Sequence, residues 1–528
     1  MHGHGSSTIT RIDRVVAYLW NNPTPSSSSL CDLNYKLPQD EAHQCTQFVH
    51  YMHALSLAMR TQTTALPSRP CAAPAPLHLV FVPFLARSHF APLAAAAAAA
   101  CGDGTTSATI LTTPHFAALA PASVPVRAAP FSFPGGHEDF SLLSDESSAP
   151  AFFFAAEAAL APALAAAVRA HAGAVAVVSD AVLHWAPRVA RKCGVPHVTF
   201  HTIGAFAAAS MVAVHLHRPD SLENPVVVPG GFPVPVKLRR VHVNEEALAH
   251  LPLFRAAEDG SYAVAFNSFS ALEADFAEYY RNVDGSPKKK VFLVGPRRAG
   301  PGNVTVTGDL KRDPILQWLD GQEAGSVVYA CFGSTCGLSA DQLKELGAGL
   351  RASGTPFLWV IPTTTDGTEQ HDDLASSHGM VVAGRWAPQA EILAHRAVGG
   401  FVSHCGWNSV LDAVCTGVPL ATWPLRAEQF LNEALLVDVL RVAVRVREVG
   451  SKADVEAVVL ADVVASAVGK LMGDGADEAA ARRTRVRDLG VAAGAAVTEG
   501  GSSCTDWARL VDELKALHGH VNEAPTDK

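Results

Sequence analysis

With 528 residues, 48% of them hydrophobic and 17% charged, the chain can bury a large core and is too long for one compact domain, so two domains of similar size are expected. The formal net charge of -9 excludes a general affinity for nucleic acid, because a surface that tracks phosphates needs an excess of Lys and Arg; any phosphate site must be local. Ten cysteines lack the spacings of a disulfide framework or a zinc site, and Cys331 with Cys336 has no second pair, so a reducing, cytoplasmic setting is expected.

Residues 1–76 carry an SSSS run and a Pro- and Ala-rich end, PSRPCAAPAP, with little apolar periodicity, which predicts a disordered extension. A transit peptide, a regulatory extension and an upstream gene-model extension with the true start at Met52 or Met59 all account for it, and the last asks least. The start MHGHGSSTIT lacks the basic residues and apolar core of a secretory signal, so the glycosylation match at Asn303-Val304-Thr305 is expected to be accidental. No stretch reads as a membrane span: the run Ala94 to Ala100 is too short, and the apolar stretch from Phe152 to Val168 contains Glu157 and Pro162. A soluble monomer is expected.

From Leu77, short apolar runs alternate with helical stretches: LHLVFVPF, SATILTT, AVAVVSD and VPHVTFHT read as strands. After the Gly- and Pro-rich connection from Gly295 to Asp309, a second series follows in SVVYACF, PFLWVI, GMVVA, AVGGFVS and VPLATWP. Two doubly wound α/β units with a cleft between them are predicted, over residues 77–300 and 301–518. The end of the second unit reads as helices, the last expected to pack back on the first unit, and 519–528 as a tail. Ligand sites in such sheets lie beyond the C-terminal ends of strands, so the residues just after each apolar run matter most.

Within WAPQAEILAHRAVGGFVSHCGWNSVLDAVCTGVPLATWPLRAEQ, from Trp386 to Gln429, a strand runs through the polar turn HCGWNS into a helix closed by Gly417. Such a turn aims free backbone N–H groups at one spot, which suits a diphosphate. His404, Asn408 and Ser409 add donors there, and Gly406 allows close approach. There is no Walker-type lysine and no Asp-x-Asp pair to hold a divalent metal, so charge neutralisation is expected to rest on His404 and the helix end. Trp386 suits stacking on a flat base, and Glu428 with Gln429 suits a polyhydroxylated group. Taken singly, each residue is better explained plainly, Trp386 as core filler, His404 as a core histidine and Glu428 as surface charge.

As an ordered whole, the segment resembles the signature box of the plant secondary-product glycosyltransferases, a branch of family 1 glycosyltransferases with the two-domain GT-B fold. The resemblance implies that Trp386, beside Ala387, stacks on uracil and that Gln389 bonds the ribose. His404, Asn408 and Ser409 would hold the diphosphate, and Trp407, Glu428 and Gln429 would contact the sugar. In that family the last Gln goes with glucose. Asp412 stands where the family has Glu reaching the ribose, so that contact is expected to be weakened or water-mediated, or Asp412 merely fixes the helix. WLDGQEAGSVVYACFGSTCGLSADQLKELGAGL resembles the family's first C-terminal strand, loop and helix, in which Gly333 and Ser334 approach the phosphates and sugar. EGGSSCTDWARLVDEL resembles its closing segment, so the likeness spans Leu77 to Leu517.

Inverting transfer needs a base for the acceptor hydroxyl. His89, just after the first apolar run, and Asp180, at the end of AVAVVS, are the expected dyad, as the resemblance also implies. A helix-start histidine and a helix-capping aspartate are the simpler alternatives. Ser88 stands where the family has Gly. The loops SFPGGHEDFSLLSD and HTIGAFAAAS and the stretch Arg218 to Leu251 are expected to form an apolar acceptor pocket suited to a phenolic such as a flavonoid. UDP-glucose is expected as co-substrate, with no further cofactor and no metal. A UDP-sugar 2-epimerase and a non-catalytic nucleotide-sugar binder are the alternatives.

Overall fold

The computed structural model describes residues 76–520 except 103, 105, 144–145, 218–225, 229–230, 244, 284–288, 299–312, 334–336, 362–377 and 474–475. Outside the described residues fall nearly all of the expected N-terminal extension, Ser334, Cys336, Asn303-Val304-Thr305, most of the expected linker and the last residues of the tail.

The first half contains β1 (Leu77–Val82), β2 (Thr106–Thr112), β3 (Val126–Ala128), β4 (Val175–Asp180) and β5 (His197–His201). A small antiparallel hairpin, β6 (Val226–Val227) with β7 (Lys237–Leu238), precedes β8 (Ala263–Phe266) and β9 (Val291–Leu293). Seven of these strands form one parallel sheet in the order β3-β2-β1-β4-β5-β8-β9. In β4 and β5 every residue is buried, the pattern expected of parallel strands covered on both faces.

The second half contains β10 (Val327–Cys331), β11 (Phe357–Ile361), β12 (Gly379–Ala383), β13 (Val398–Ser403), β14 (Leu420–Thr422) and β15 (Ala443–Arg445). They pair in parallel in the order β12-β11-β10-β13-β14-β15. In both sheets the strand order reverses beside the first strand, between β1 and β4 and between β10 and β13. Helices leave the sheet in opposite directions at such a point, which opens a crevice at the strand ends. The two doubly wound units are thus present. Strands β3, β8, β9 and β15, each of three or four residues, were not among those expected.

Helix α1 (Arg87–Gly102) follows β1, and α2 (Ala149–Arg169) is the one described helix long and apolar enough to cross a membrane. Its Phe152, Ala156, Leu160 and Leu164 are buried in the core of the first sheet, which accounts for the apolar composition. The last helix, of residues 502–520, leaves the second half and packs on β9 and β1. Its Asp506 accepts from the Leu293 N–H at 2.9 Å, and the Val175 N–H donates to His518 Nε2 at 3.2 Å.

Candidate active site

The β1–β4 reversal brings together two residues that are 91 positions apart in the chain. Asp180 is the last residue of β4, and His89 lies in the first turn of α1. Their contact is His89 Nδ1 to Asp180 Oδ2, 2.8 Å, with Asp180 buried and His89 about a quarter exposed. The other carboxylate oxygen accepts from the Val182 N–H at 3.1 Å, which fixes the carboxylate plane. Asp180 therefore closes a local turn and orients the imidazole at once. Burial alone pushes His89 down; the charge and hydrogen bond of Asp180, with the charge of Glu428, outweigh it and raise its pKa above the ordinary 6.5. With Nδ1–H donated to the carboxylate, Nε2 carries the lone pair. Phe84 stands edge-on to the ring, 5.4 Å between centroids, and stacks in turn on Phe153 at 4.9 Å. Beyond them, Phe133, His137, Leu142 and Ser148 help to line a cavity of about 430 Å³ in the loops of the first half.

The second crevice lies opposite. Strand β13 ends at Ser403, His404 and Cys405 form the turn, and α3 (Trp407–Thr416) begins directly after Gly406, closed by Gly417 at φ 70°. His404 packs against two glycines: a Cβ on Gly333 would lie 2.8 Å from its ring, and one on Gly406 only 2.5 Å from Nε2. Gly333 also has φ +73°, so both backbone shape and space require glycine there. Among the described residues, the buried His404 Nδ1 has no hydrogen-bond partner. Around it Gln389 Nε2 donates to Ser409 Oγ at 3.2 Å and to Asp412 Oδ2 at 3.0 Å. Trp386 is 53% exposed at the rim, and Ala387 beside it is buried. Asn408 Nδ2 reaches across the cleft to the Ser88 carbonyl at 2.6 Å, which brings the box against the turn that holds His89.

Residues 167–468 match the family model described as UDP-glucoronosyl and UDP-glucosyl transferase. The chain belongs to the UDP-glycosyltransferase family. It is 33% identical to UDP-glycosyltransferase 73C5 of Arabidopsis thaliana, over 84% of this chain and 97% of that one. Among solved structures, UGT73P12 of Glycyrrhiza uralensis, complexed with glycyrrhetinic acid 3-O-monoglucuronide, superposes with a TM-score of 0.74 at 29% identity, covering 84% of this chain and 97% of the other. UGT2 of Phytolacca americana, complexed with UDP-2fluoro-glucose and pterostilbene, gives 0.68 at 28%, over 84% and 100%. The fold of this UDP-glycosyltransferase is accordingly GT-B, with one Rossmann-like unit on each side of the cleft.

Once the side chains of the transferase are placed, several residues of the box have contacts that the sequence did not anticipate. Burial, and then the nearby Arg426, push the His404 pKa down to about 4, which favours a neutral hydrogen-bonding group over the cation expected from the sequence. The Trp407 indole is turned toward the first half. It is buried, donates Nε1–H to the Asn267 carbonyl of the first half at 2.8 Å, and lies so close to Gly204 that a Cβ there would meet it at 2.8 Å. Gln429 spends its Oε1 on the loop before it, accepting from the Leu425 and Arg426 N–H groups at 2.9 and 3.0 Å. The Glu428 carboxyl is raised by burial, and its charge acts on His89.

Two partners were missed by sequence reasoning. Thr202 Oγ1 lies 3.0 Å from His89 Nδ1, one residue past the end of β5. Arg298 Nε donates to Asp412 Oδ1 at 2.8 Å, so the shortened carboxylate is held from both sides, by Arg298 and by Gln389. The position after a strand end was a usable signal for Thr202, whereas nothing in the linker marked Arg298.

Proposed function

We propose that the enzyme is an inverting, metal-independent transferase that moves glucose from UDP-glucose to a hydroxyl of a small hydrophobic acceptor such as a flavonoid or other plant phenolic. In this reading residues 77–300 bind the acceptor and 301–518 bind the donor, in a soluble cytoplasmic monomer that needs no further cofactor. The observation that carries it is the 2.8 Å contact of His89 with Asp180, facing the donor box across the Asn408–Ser88 contact.

In the proposed step, His89 Nε2 takes the proton of the acceptor hydroxyl as its oxygen forms the new bond to the anomeric carbon. The bond from that carbon to the diphosphate breaks on the opposite face, and UDP leaves with the electron pair. Asp180 keeps Nδ1 protonated and stabilises the imidazolium that forms. Donor binding is assigned to Trp386 and Ala387 for uracil, Gln389 and Asp412 for ribose, His404, Gly406, Asn408 and Ser409 with the start of α3 and Gly333 for the diphosphate, and Glu428 and Gln429 for the sugar. Ser334 is retained as a donor contact from the sequence. Trp407 holds the turn against the first half instead of contacting the sugar by its side chain. The aromatic wall of Phe84, Phe153 and Phe140 supports a flat apolar acceptor. The pterostilbene named with the Phytolacca protein supports the same class.

The test is incubation of the protein, and of His89→Ala, with UDP-glucose and a panel of phenolics, followed by mass spectrometry. A glycoside from the native chain and none from the variant is expected. UDP release without any glycoside, or undiminished product from His89→Ala, would remove the mechanism. UDP-galactose and UDP-glucuronic acid offered in competition test the choice of sugar.

A further inference from the structure

We propose that Arg87 is an additional donor-binding residue, a cation from the first domain that pairs with the diphosphate of the UDP-sugar; this rests on the donor site proposed above. Two consecutive residues of one turn touch the donor box at two places, its first residue Trp386 and Asn408 at the start of α3. The Arg87 guanidinium carbon lies 5.5 Å from the centroid of the Trp386 ring, and the next residue, Ser88, receives the Asn408 hydrogen bond. With uracil on Trp386 and phosphate oxygens at the start of α3 beside Asn408, the diphosphate runs between these two contacts, within reach of the guanidinium. Trp386 remains about half exposed with Arg87 over it, so ring surface is left for a base.

The charge is needed there. A diphosphate is polyanionic and gains a further negative charge as the glycosidic bond breaks; on the donor side His404 favours its neutral form, Arg298 is committed to Asp412, and Arg426 is the cation near His404, so Arg87 would add a second cation from the other side of the cleft. Arg87 is only loosely held: Asp139 Oδ2 stands 3.7 Å from Nε, the Arg87 side chain is 38% exposed, and the other oxygen of Asp139 already accepts from the Ser141 N–H and hydroxyl at 2.9 and 2.6 Å. When such a guanidinium turns to the diphosphate, the Ser141 N–H and hydroxyl stay on Asp139 Oδ1, and its planar fork suits two phosphate oxygens better than an ammonium does.

Calorimetric titration of the full chain and of Arg87→Gln with UDP, UMP and uridine, each at low and high salt, tests the assignment. Loss of a charge-assisted contact is expected to weaken UDP by about ten- to a hundredfold, UMP by less, and uridine hardly at all. Arg87→Lys should recover part of the loss, and salt should narrow the gap between native and Arg87→Gln. Equal weakening of uridine and UDP would mean that Arg87 only supports the Trp386 ring and would overturn the proposal. Unchanged UDP affinity with an altered acceptor KM would overturn it too, leaving Arg87 as a loop contact. A native chain that binds no UDP would instead remove the donor-site reading itself.

Discussion

Asp180→Asn isolates the electrostatic part of the proposed dyad with little change of shape. The amide oxygen can keep the Val182 N–H bond, but an N–H now faces His89 Nδ1 where a carboxylate oxygen stood at 2.8 Å. The imidazole then accepts at Nδ1 and carries its proton on Nε2, the nitrogen required as base. Loss of the charge-assisted bond is about 1.5–3 kcal/mol, and the reversed tautomer adds to it, so kcat should fall by about a hundred- to ten-thousandfold. The native acid limb should lie above the ordinary His value of 6.5, because Asp180 and Glu428 outweigh burial and raise the pKa. Activity rises with pH through that limb, since the neutral imidazole is the base. In the variant burial dominates and the limb moves to lower pH. The stability that the pair contributes is fully present below the unfolded pKa and is lost as pH rises through the raised one, so Asp180→Asn should cost most stability in acid. Initial-rate profiles with a responsive phenol, together with UDP titration, make the assay. UDP affinity should hold, because Asp180 touches His89 and Val182 and not the donor box. A kcat within about threefold of native, or an unmoved acid limb, refutes the reasoning.

Gly333→Ala places a methyl group 2.8 Å from the His404 ring at φ +73°, a backbone cost of about 1–2 kcal/mol before His404 shifts. UDP affinity measured by calorimetry should drop about tenfold or more, and native-like affinity would show that His404 is not confined as described. Trp407→Phe leaves the Asn267 carbonyl without its 2.8 Å donor at the join of the two halves, which should cost about 1–2 kcal/mol in denaturant unfolding. Equal stability of the variant would count against that bond. Glu433, beneath the HCGWNS turn, is raised by burial to about 7 in spite of Thr422 and Arg445. The folded state therefore holds a proton that the unfolded state has released, and stability falls as pH rises from the ordinary 4.5 toward 7. Glu433→Gln should flatten that part of the curve of melting temperature against pH, and an unchanged slope would exclude Glu433 as its source.

The chain's own patterning carried much of the fold. Apolar runs such as AVAVVS and FLWVI, buried on both faces, announce parallel strands wherever they lie. The box from Trp386 to Gln429 was legible because strand, turn, helix and Gly417 are consecutive, so local geometry alone gathers His404, Gly406, Asn408 and Ser409. Residues at strand ends, such as His89 and Asp180, were recognisable by position, since a doubly wound sheet brings strand ends together.

What stayed hidden was every contact between parts of the chain that no periodicity links. Arg298 on Asp412, the Trp407 indole on Asn267 and Arg87 over Trp386 each span more than a hundred positions, and each depends on how one sheet faces the other. Burial has the same character: His404 and Glu433 are ordinary titratable side chains in the sequence, and only packing moves one to about 4 and the other to about 7. The sequence by itself thus determined the two α/β units, the family and the order of the donor box, because those are encoded in neighbouring residues. Tertiary structure alone decided charge states and cross-cleft partners, because desolvation and Coulomb interaction depend on distance in space and not on separation along the chain.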